Sequence, residues 1–253
     1  MFLTGATSGL GEALAREYAS LGATLGLFAR REGELERLAT QLKPATVVTY
    51  RGDVRDAGAL ARSAGDFLAR FGAPDIVIGN AGVSRGTLTQ LAEDIPAFRA
   101  VFETNVMGLV HTFQPFLQPM LDAKRGVLVG VASVAGFRGI PGSGAYSGSK
   151  AAAIAYLESL RVELRGSGVA VVTVCPGYIA TPMTAGNPYR MPFLLAPDKA
   201  ARLVAKAIAR RKRFYVLPWP MALAGRVLRV LPRWLFDRAF AGAKRKPRQL
   251  DGS

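Results

Sequence analysis

Short apolar runs rich in β-branched residues alternate along this chain with longer amphipathic or alanine-rich stretches. The runs at 1–3, 24–28, 46–50, 75–78, 126–131, 169–175 and 214–217 have the length and composition of strands. VLVGV (127–131) and VAVVTV (169–174) are apolar without alternation, as strands covered on both faces are. Helical patterning fills 9–21, 32–42, 56–71, 96–123, 147–165 and 198–211. Regular strand–helix alternation predicts an α/β fold built on a parallel sheet. No internal repeat and no linker divides the chain. The first run is short: three residues precede a glycine turn, so this strand is either clipped or begins at the chain terminus.

Composition sharpens the picture in three places. Half of the 253 residues are hydrophobic, and 28 glycines and 15 prolines punctuate them, which is a globular composition with room for a real core. Cys175 is the single cysteine, so no internal disulfide forms; this fits a reducing compartment. No charged and apolar leader precedes the glycine turn, and the uncharged stretch 166–189 is broken by Pro176, Pro182 and Pro188. The expectation is a cytoplasmic protein without a membrane span.

The net charge of +15 suggests nucleic acid until it is located. Residues 199–253 hold 15 Lys or Arg against Asp237 and Asp251, and the preceding 198 are nearly neutral. With no basic motif in the body, no nucleic-acid partner is expected. An anionic partner for the tail stays open.

TGATSGLG (4–11) follows the first run and opens a helix. Gly5, Gly9 and Gly11 there allow a tight turn and close backbone approach, and a helix N-terminus offers free N–H groups to a pyrophosphate. A plain strand–helix turn without a ligand is the alternative. About 20 residues on, a dinucleotide site for NAD usually carries an acid, whereas arginine suits the 2′-phosphate of NADP. Here the strand ends LFARRE (27–32): Ala29 stands where the acid is expected, and Arg30 and Arg31 follow. This predicts NADP(H), with Arg30 as the main grip; a solvated helix start, with Glu32 and Glu34 pairing the arginines, is the alternative.

TGATSGLG, Asp53 with Val54, NAG (80–82), Asn105, Ser133, YSGSK (146–150) and PGYIATP (176–182) stand in one order and spacing. In this the chain resembles the short-chain dehydrogenase/reductase family over residues 1 to about 217. The resemblance implies a doubly wound, seven-stranded, Rossmann-like domain over 1–217, followed by a basic extension at 218–253. It implies hydride transfer between a nicotinamide and a carbonyl or alcohol. Tyr146 would be the proton donor. A phenol titrates near 10, and the ammonium of Lys150, one helical turn away, would lower that value. By the same resemblance Lys150 bonds the nicotinamide ribose, Ser133 holds the substrate oxygen, and Asn105 supports a water path to Lys150. Ser133 would equally cap the following loop, and Asn105 would equally bond backbone groups around a helix irregularity.

The resemblance also assigns cofactor contacts. Gly5, Thr7, Ser8, Gly9 and Leu10 form the glycine loop; Asp53 meets the adenine amino group, with Val54 beside it. Asn80, Ala81 and Gly82 pass the ribose and pyrophosphate. Pro176, Gly177, Ile179 and Thr181 approach the nicotinamide. One departure is visible: the family's NNAG is GNAG here, with Gly79 first. His111 matches no catalytic position and is expected in packing or at a subunit contact.

Residues 183–197 are apolar and proline-broken, as a substrate lid would be, and Met183, Met191, Phe193 and Leu194 suggest an apolar ketone, aldehyde or secondary alcohol. In the tail, Ala224, Val227, Leu228, Leu231 and Leu235 form a helical stripe with Arg226, Arg229 and Arg233 off it, and Pro232 should split the helix. Such a segment, roughly 218–248, would lie weakly on an anionic membrane, leaving the protein peripheral, or dock on the body or a second subunit. A homo-oligomer is expected, since Ala151, Ala152 and Ala153 would let helices of two subunits approach. The competing function is an NADP(H)-binding sensor or scaffold acting through the basic extension; the full set Asn105, Ser133, Tyr146 and Lys150 favours an enzyme.

Overall fold

The computed structural model describes residues 1–243 and 245–248. Seven strands, β1 (Phe2–Thr4), β2 (Leu25–Ala29), β3 (Val47–Arg51), β4 (Ile76–Gly79), β5 (Gly126–Val131), β6 (Val169–Pro176) and β7 (Phe214–Leu217), form one sheet in the order β3-β2-β1-β4-β5-β6-β7. Every pairing is parallel. The chain winds outward from β1 to β3, then returns to β4 on the other side. That reversal beside β1 is where an open α/β sheet leaves a crevice at its carboxyl edge.

Parallel strands need crossovers, and here helices supply them: α1 (Gly9–Ser20), α2 (Glu32–Gln41), α3 (Ala57–Phe71), α4 (Ile95–Phe102), α5 (Gly108–Asp122), α6 (Gly144–Glu163), α7 (Pro182–Ala185) and α8 (Pro197–Ala209). Side-chain alternation in β1 divides the core. Leu3 points to the layer holding Leu14 and Val204, and Phe2 to the layer holding Phe67, Phe116 and Leu157. The Phe2 ring lies 4.7 Å from that of Phe116 and meets Phe67 edge-on at 5.7 Å. Such aromatic pairs add about 1 kcal/mol beyond the area they bury.

The first four strands each sit one residue later than the apolar runs indicated. The stretch 96–123 is not one helix: a π-helical turn, Glu103–Met107, separates α4 from α5. Helix α6 starts at Gly144 rather than 147, so Tyr146 lies in its first turn. Gly79 has a packing cause, because a Cβ there would run into Leu109 Cδ1 and lie 3.5 Å from the Phe113 ring. Helix α5 occupies the space that an asparagine side chain would need.

Beyond β7 come α9 (Trp219–Val230) and α10 (Arg233–Phe240), split at Pro232 as the sequence indicated. The stripe itself is split, with Ala224, Leu228 and Leu231 half-buried. Helix α9 turns Gly225 toward the body, where Phe137 presses on it, while Val227 and Leu235 of the stripe are exposed. Glycine lets that ring approach, so Gly225, between the half-buried Ala224 and Leu228, marks the docking face. Arg138 ties the extension down by donating to Leu231 O (3.1 Å) and lying 4.5 Å over Phe236. Of the three alanines expected at a subunit contact, Ala153 instead faces the chain's own core, and Ala151 is exposed. Among the described residues, no helix is long and apolar enough to cross a membrane.

Candidate active site

The carboxyl ends of the central strands open into one cleft of about 750 Å³. Its floor is the turn between β1 and α1. Gly5 and Gly9 have φ of +68° and +55°, a left-handed conformation natural to glycine. A Cβ on Gly5 would stand 2.8 Å from Ala81 Cα, and one on Gly9 2.8 Å from Thr181 Cγ2. Asn80 fixes the turn by donating to Thr4 O (3.2 Å) and Gly5 O (3.1 Å). Ser8 enters α1 from extended backbone without spending its hydroxyl on the first turn. Those N–H donors and the positive end of the helix are therefore available to an anion, and the floor fits a pyrophosphate.

At the end of β2, Ala29 is buried and no acid replaces it. Arg30 reaches over the cleft with its side chain 64% exposed, its guanidinium 3.9 Å from Asp53 Oδ2. Arg31 folds back and donates to Thr7 O (3.0 Å) and Thr7 Oγ1 (3.1 Å), bracing the glycine turn. Asp53 is gripped by Arg55 through Nε (3.0 Å) and Nη2 (2.7 Å). Burial opposes charge on Asp53, but the Arg55 bonds and the Arg30 charge hold its carboxyl below the usual range. His111 sits on α5, where its Nδ1–H donates to Val54 O (3.0 Å), a packing role.

The other end holds the reactive groups. Tyr146 and Lys150 share one face of α6, the Lys150 Nζ lying 5.9 Å from the Tyr146 ring centroid. Lys150 is buried and donates to Val131 O (2.8 Å). Burial lowers its pKa to about 8; the neighbouring Cys175, its own thiol pushed up to about 12 by burial, works weakly the other way. The lowering expected for Tyr146 is not what the protein's own atoms give. Burial raises its pKa, a bond with Ser133 offsets part of this, and the Lys150 ammonium is turned toward the Val131 carbonyl. Ser133 follows β5 and does cap the next turn, accepting from Ala135 N (3.1 Å).

Asn105 stands behind the cleft at the centre of the π turn and is 2% exposed. Its Oδ1 accepts from Val83 N (2.8 Å), and its Nδ2 donates to Val83 O (3.0 Å) and Ser149 Oγ (2.9 Å). Ser149 in turn donates to Tyr146 O (2.8 Å). One amide thus ties the loop after β4 to the helix carrying Tyr146. A Cβ on Gly82 would lie 3.2 Å from Asn105 Oδ1 and 3.5 Å from Lys150 Nζ, so the backbone passes close to both side chains there.

Gly5, Thr7, Ser8, Gly9, Leu10, Arg30, Asp53, Val54, Asn80, Ala81, Gly82, Ser133, Tyr146, Lys150, Pro176, Gly177, Ile179 and Thr181 all line this cleft, as does Met183 of the expected lid; Asn105 and the lid residues Met191, Phe193 and Leu194 do not. Sequence reasoning missed the bond from Asn105 to Ser149, the part of Val83 and the brace made by Arg31. Arg31 was visible beside Arg30, but its backward turn was not; nothing in the sequence marks Val83.

A model of the family described as short chain dehydrogenase matches residues 1–190. An uncharacterized oxidoreductase of Myxococcus xanthus is 40% identical over 239 residues, 94% of either chain. A short chain dehydrogenase/reductase from Burkholderia phymatum, solved in complex with NAD, superposes with a TM-score of 0.81 at 29% identity, over 98% of this chain and 96% of that one. An alcohol dehydrogenase from Thermococcus sibiricus, complexed with 5-hydroxy-NADP, gives 0.76 at 29% identity, over 85% of this chain and 93% of that one.

Proposed function

This chain belongs to the short-chain dehydrogenase/reductase family, an oxidoreductase family that works with a nicotinamide cofactor, and from that premise we propose that it is an NADPH-dependent reductase of apolar ketones or aldehydes. The observation that carries the cofactor preference is the end of β2, where Ala29 is followed by an outstretched Arg30 and a braced Arg31. A carboxylate there would bond a free 2′-hydroxyl; a guanidinium bonds a 2′-phosphate. The solved relatives named above bind NAD in one case and an NADP derivative in the other, so this end of the cleft decides.

When bound, the nicotinamide supplies or accepts the hydride. The protein's part is orientation and the proton. Gly5, Gly9 and the start of α1 seat the pyrophosphate, while Asn80 holds the turn in shape. Ser133 and Tyr146 present two hydroxyls to one substrate oxygen. Tyr146 donates its proton as negative charge develops on that oxygen, and the Lys150 ammonium, bonded to Val131 O and 5.9 Å from the Tyr146 ring, stabilises the phenolate left behind by turning from that carbonyl toward it. Asn105 positions Tyr146 through Ser149 without touching substrate. Met183 of α7 lines the cleft and gives its rim an apolar surface, which favours an apolar carbonyl compound; Phe193 and Leu194 are exposed and lie outside the cleft.

Loss of NADPH absorbance with a panel of apolar ketones tests the reaction; Tyr146→Phe should abolish turnover while NADPH still binds. Arg30→Ala should weaken NADPH binding roughly tenfold or more and leave NADH unchanged. Equal affinities for both cofactors, unmoved by Arg30→Ala, would overturn the preference.

The exposed face of α9 and α10 supports a peripheral contact with an anionic membrane. Trp219, Val227, Val230 and Trp234 are exposed there beside exposed Arg226, Arg229 and Arg233, a pairing of apolar anchors with positive charge.

A further inference from the structure

The basic residues after α10 come back to the rim of the cleft. Arg248 clamps Asp94: Nε lies 3.0 Å from Oδ1 and 2.9 Å from Oδ2, and Nη2 lies 2.9 Å from Oδ1 and 3.1 Å from Glu93 Oε1. Asp94 is a prepared anchor, 4% exposed and also accepting from Leu88 N at 2.7 Å. Pro247 O accepts from Gly86 N (3.3 Å). Arg245 lies across Gly142, where a Cβ would stand 2.8 Å from its own.

Lys246 sits between these anchors. Its ammonium donates to Ser84 Oγ (2.8 Å) and to Met183 O (3.4 Å). Met183 and Val83, the neighbour of Ser84, both line the cleft, so Lys246 ties two segments of its rim together. Both of its partners are neutral. Among the described residues, no carboxylate lies within 4.0 Å of it, whereas Arg248 two residues on meets two acids. A partly buried cation with neutral acceptors alone is under-compensated, and burial does lower its pKa.

We propose that Lys246 is a specificity-determining residue: its ammonium receives the carboxylate of an amphiphilic oxo acid whose apolar chain passes between Val83 and Met183 toward Tyr146. The inference rests on the reductase proposal for the carbonyl end of that substrate and narrows its class, from a neutral carbonyl compound to one with an anionic terminus. A carboxylate there replaces neutral acceptors with a full charge, in a place where solvent screens less than at the open surface. Residues 245–248 act as a strap that holds the ammonium in position, with Arg248 on Asp94 as its clasp.

Binding to the full chain tests this without any turnover, so it stands or falls separately from the reaction. Calorimetric titration with octanoate, octanamide and acetate is compared for the native protein, Lys246→Gln and Lys246→Arg. Octanoate should bind the native protein roughly tenfold more tightly than octanamide. Lys246→Gln should erase that preference and Lys246→Arg keep it, while acetate binds more weakly than octanoate. No preference in the native protein, a preference retained in Lys246→Gln, or acetate binding as tightly as octanoate would each overturn the proposal.

Discussion

Lys150 shows how burial and catalysis pull on one residue. In the proposed reaction its charge serves the proton transfer at Tyr146, yet its surroundings hold its pKa near 8, against 10.5 in an open chain. Between those two values the unfolded chain binds more protons than the folded one, so the stability owed to this group rises with pH across the window. Denaturant unfolding of the native protein and Lys150→Met, compared from neutral pH up to 10.5, should show the native protein gaining relative to the variant. A constant difference would mean that burial does not set the lysine's pKa. Turnover should move the opposite way, falling as pH rises through about 8 and the ammonium is lost. At this scale the sequence was most informative about residues whose chemistry is fixed by type and spacing, as Tyr146 and Lys150 are. It was silent about the bonds that Asn105 makes to Ser149 and Val83, because they depend on Asn105 arriving from a distant segment. It also misjudged the tyrosine, since four-residue spacing brings the lysine close but does not say that its ammonium turns to Val131.

Among the elements, periodicity located all seven strands and their order along the chain, because buried parallel strands are apolar runs bounded by turns. Periodicity alone did not show the π turn, although the alternative reading of Asn105 places a helix irregularity there. An amphipathic pattern from 96 to 123 continues straight through that turn, whose visible trace is the polar run Glu103, Thr104 and Asn105. Helix α5 makes Gly79 a strong test of packing. Gly79→Asn restores the family's pattern but drives a side chain into Leu109 and toward Phe113. Overpacking of this kind costs about 1–3 kcal/mol, and the melting temperature of Gly79→Asn should fall accordingly. Leu109→Ala in the same chain should recover part of the loss. Equal stability of native protein and Gly79→Asn would mean that α5 yields freely.

The whole molecule joins a nearly neutral catalytic body to a strongly basic extension. Amphipathicity identified the extension as helical but not which face would dock, since Gly225 carries no hydrophobic signal and the exposed Val227 does. Sedimentation with phosphatidylserine vesicles tests what that outward face does. The native protein should sediment with them, less so at high salt, and replacing Trp219 and Trp234 by serine should leave it in the supernatant. Sedimentation unchanged by both substitutions would remove the membrane contact. Cys175 offers a way to watch the molecule as a unit. The thiol lies fully buried on β6, in register with Val216 of β7, with its pKa pushed up to about 12. An alkylating reagent reaches it only when that strand leaves the sheet. The rate of its modification in the native state is therefore a built-in clock for large-scale opening, one that needs no engineered label.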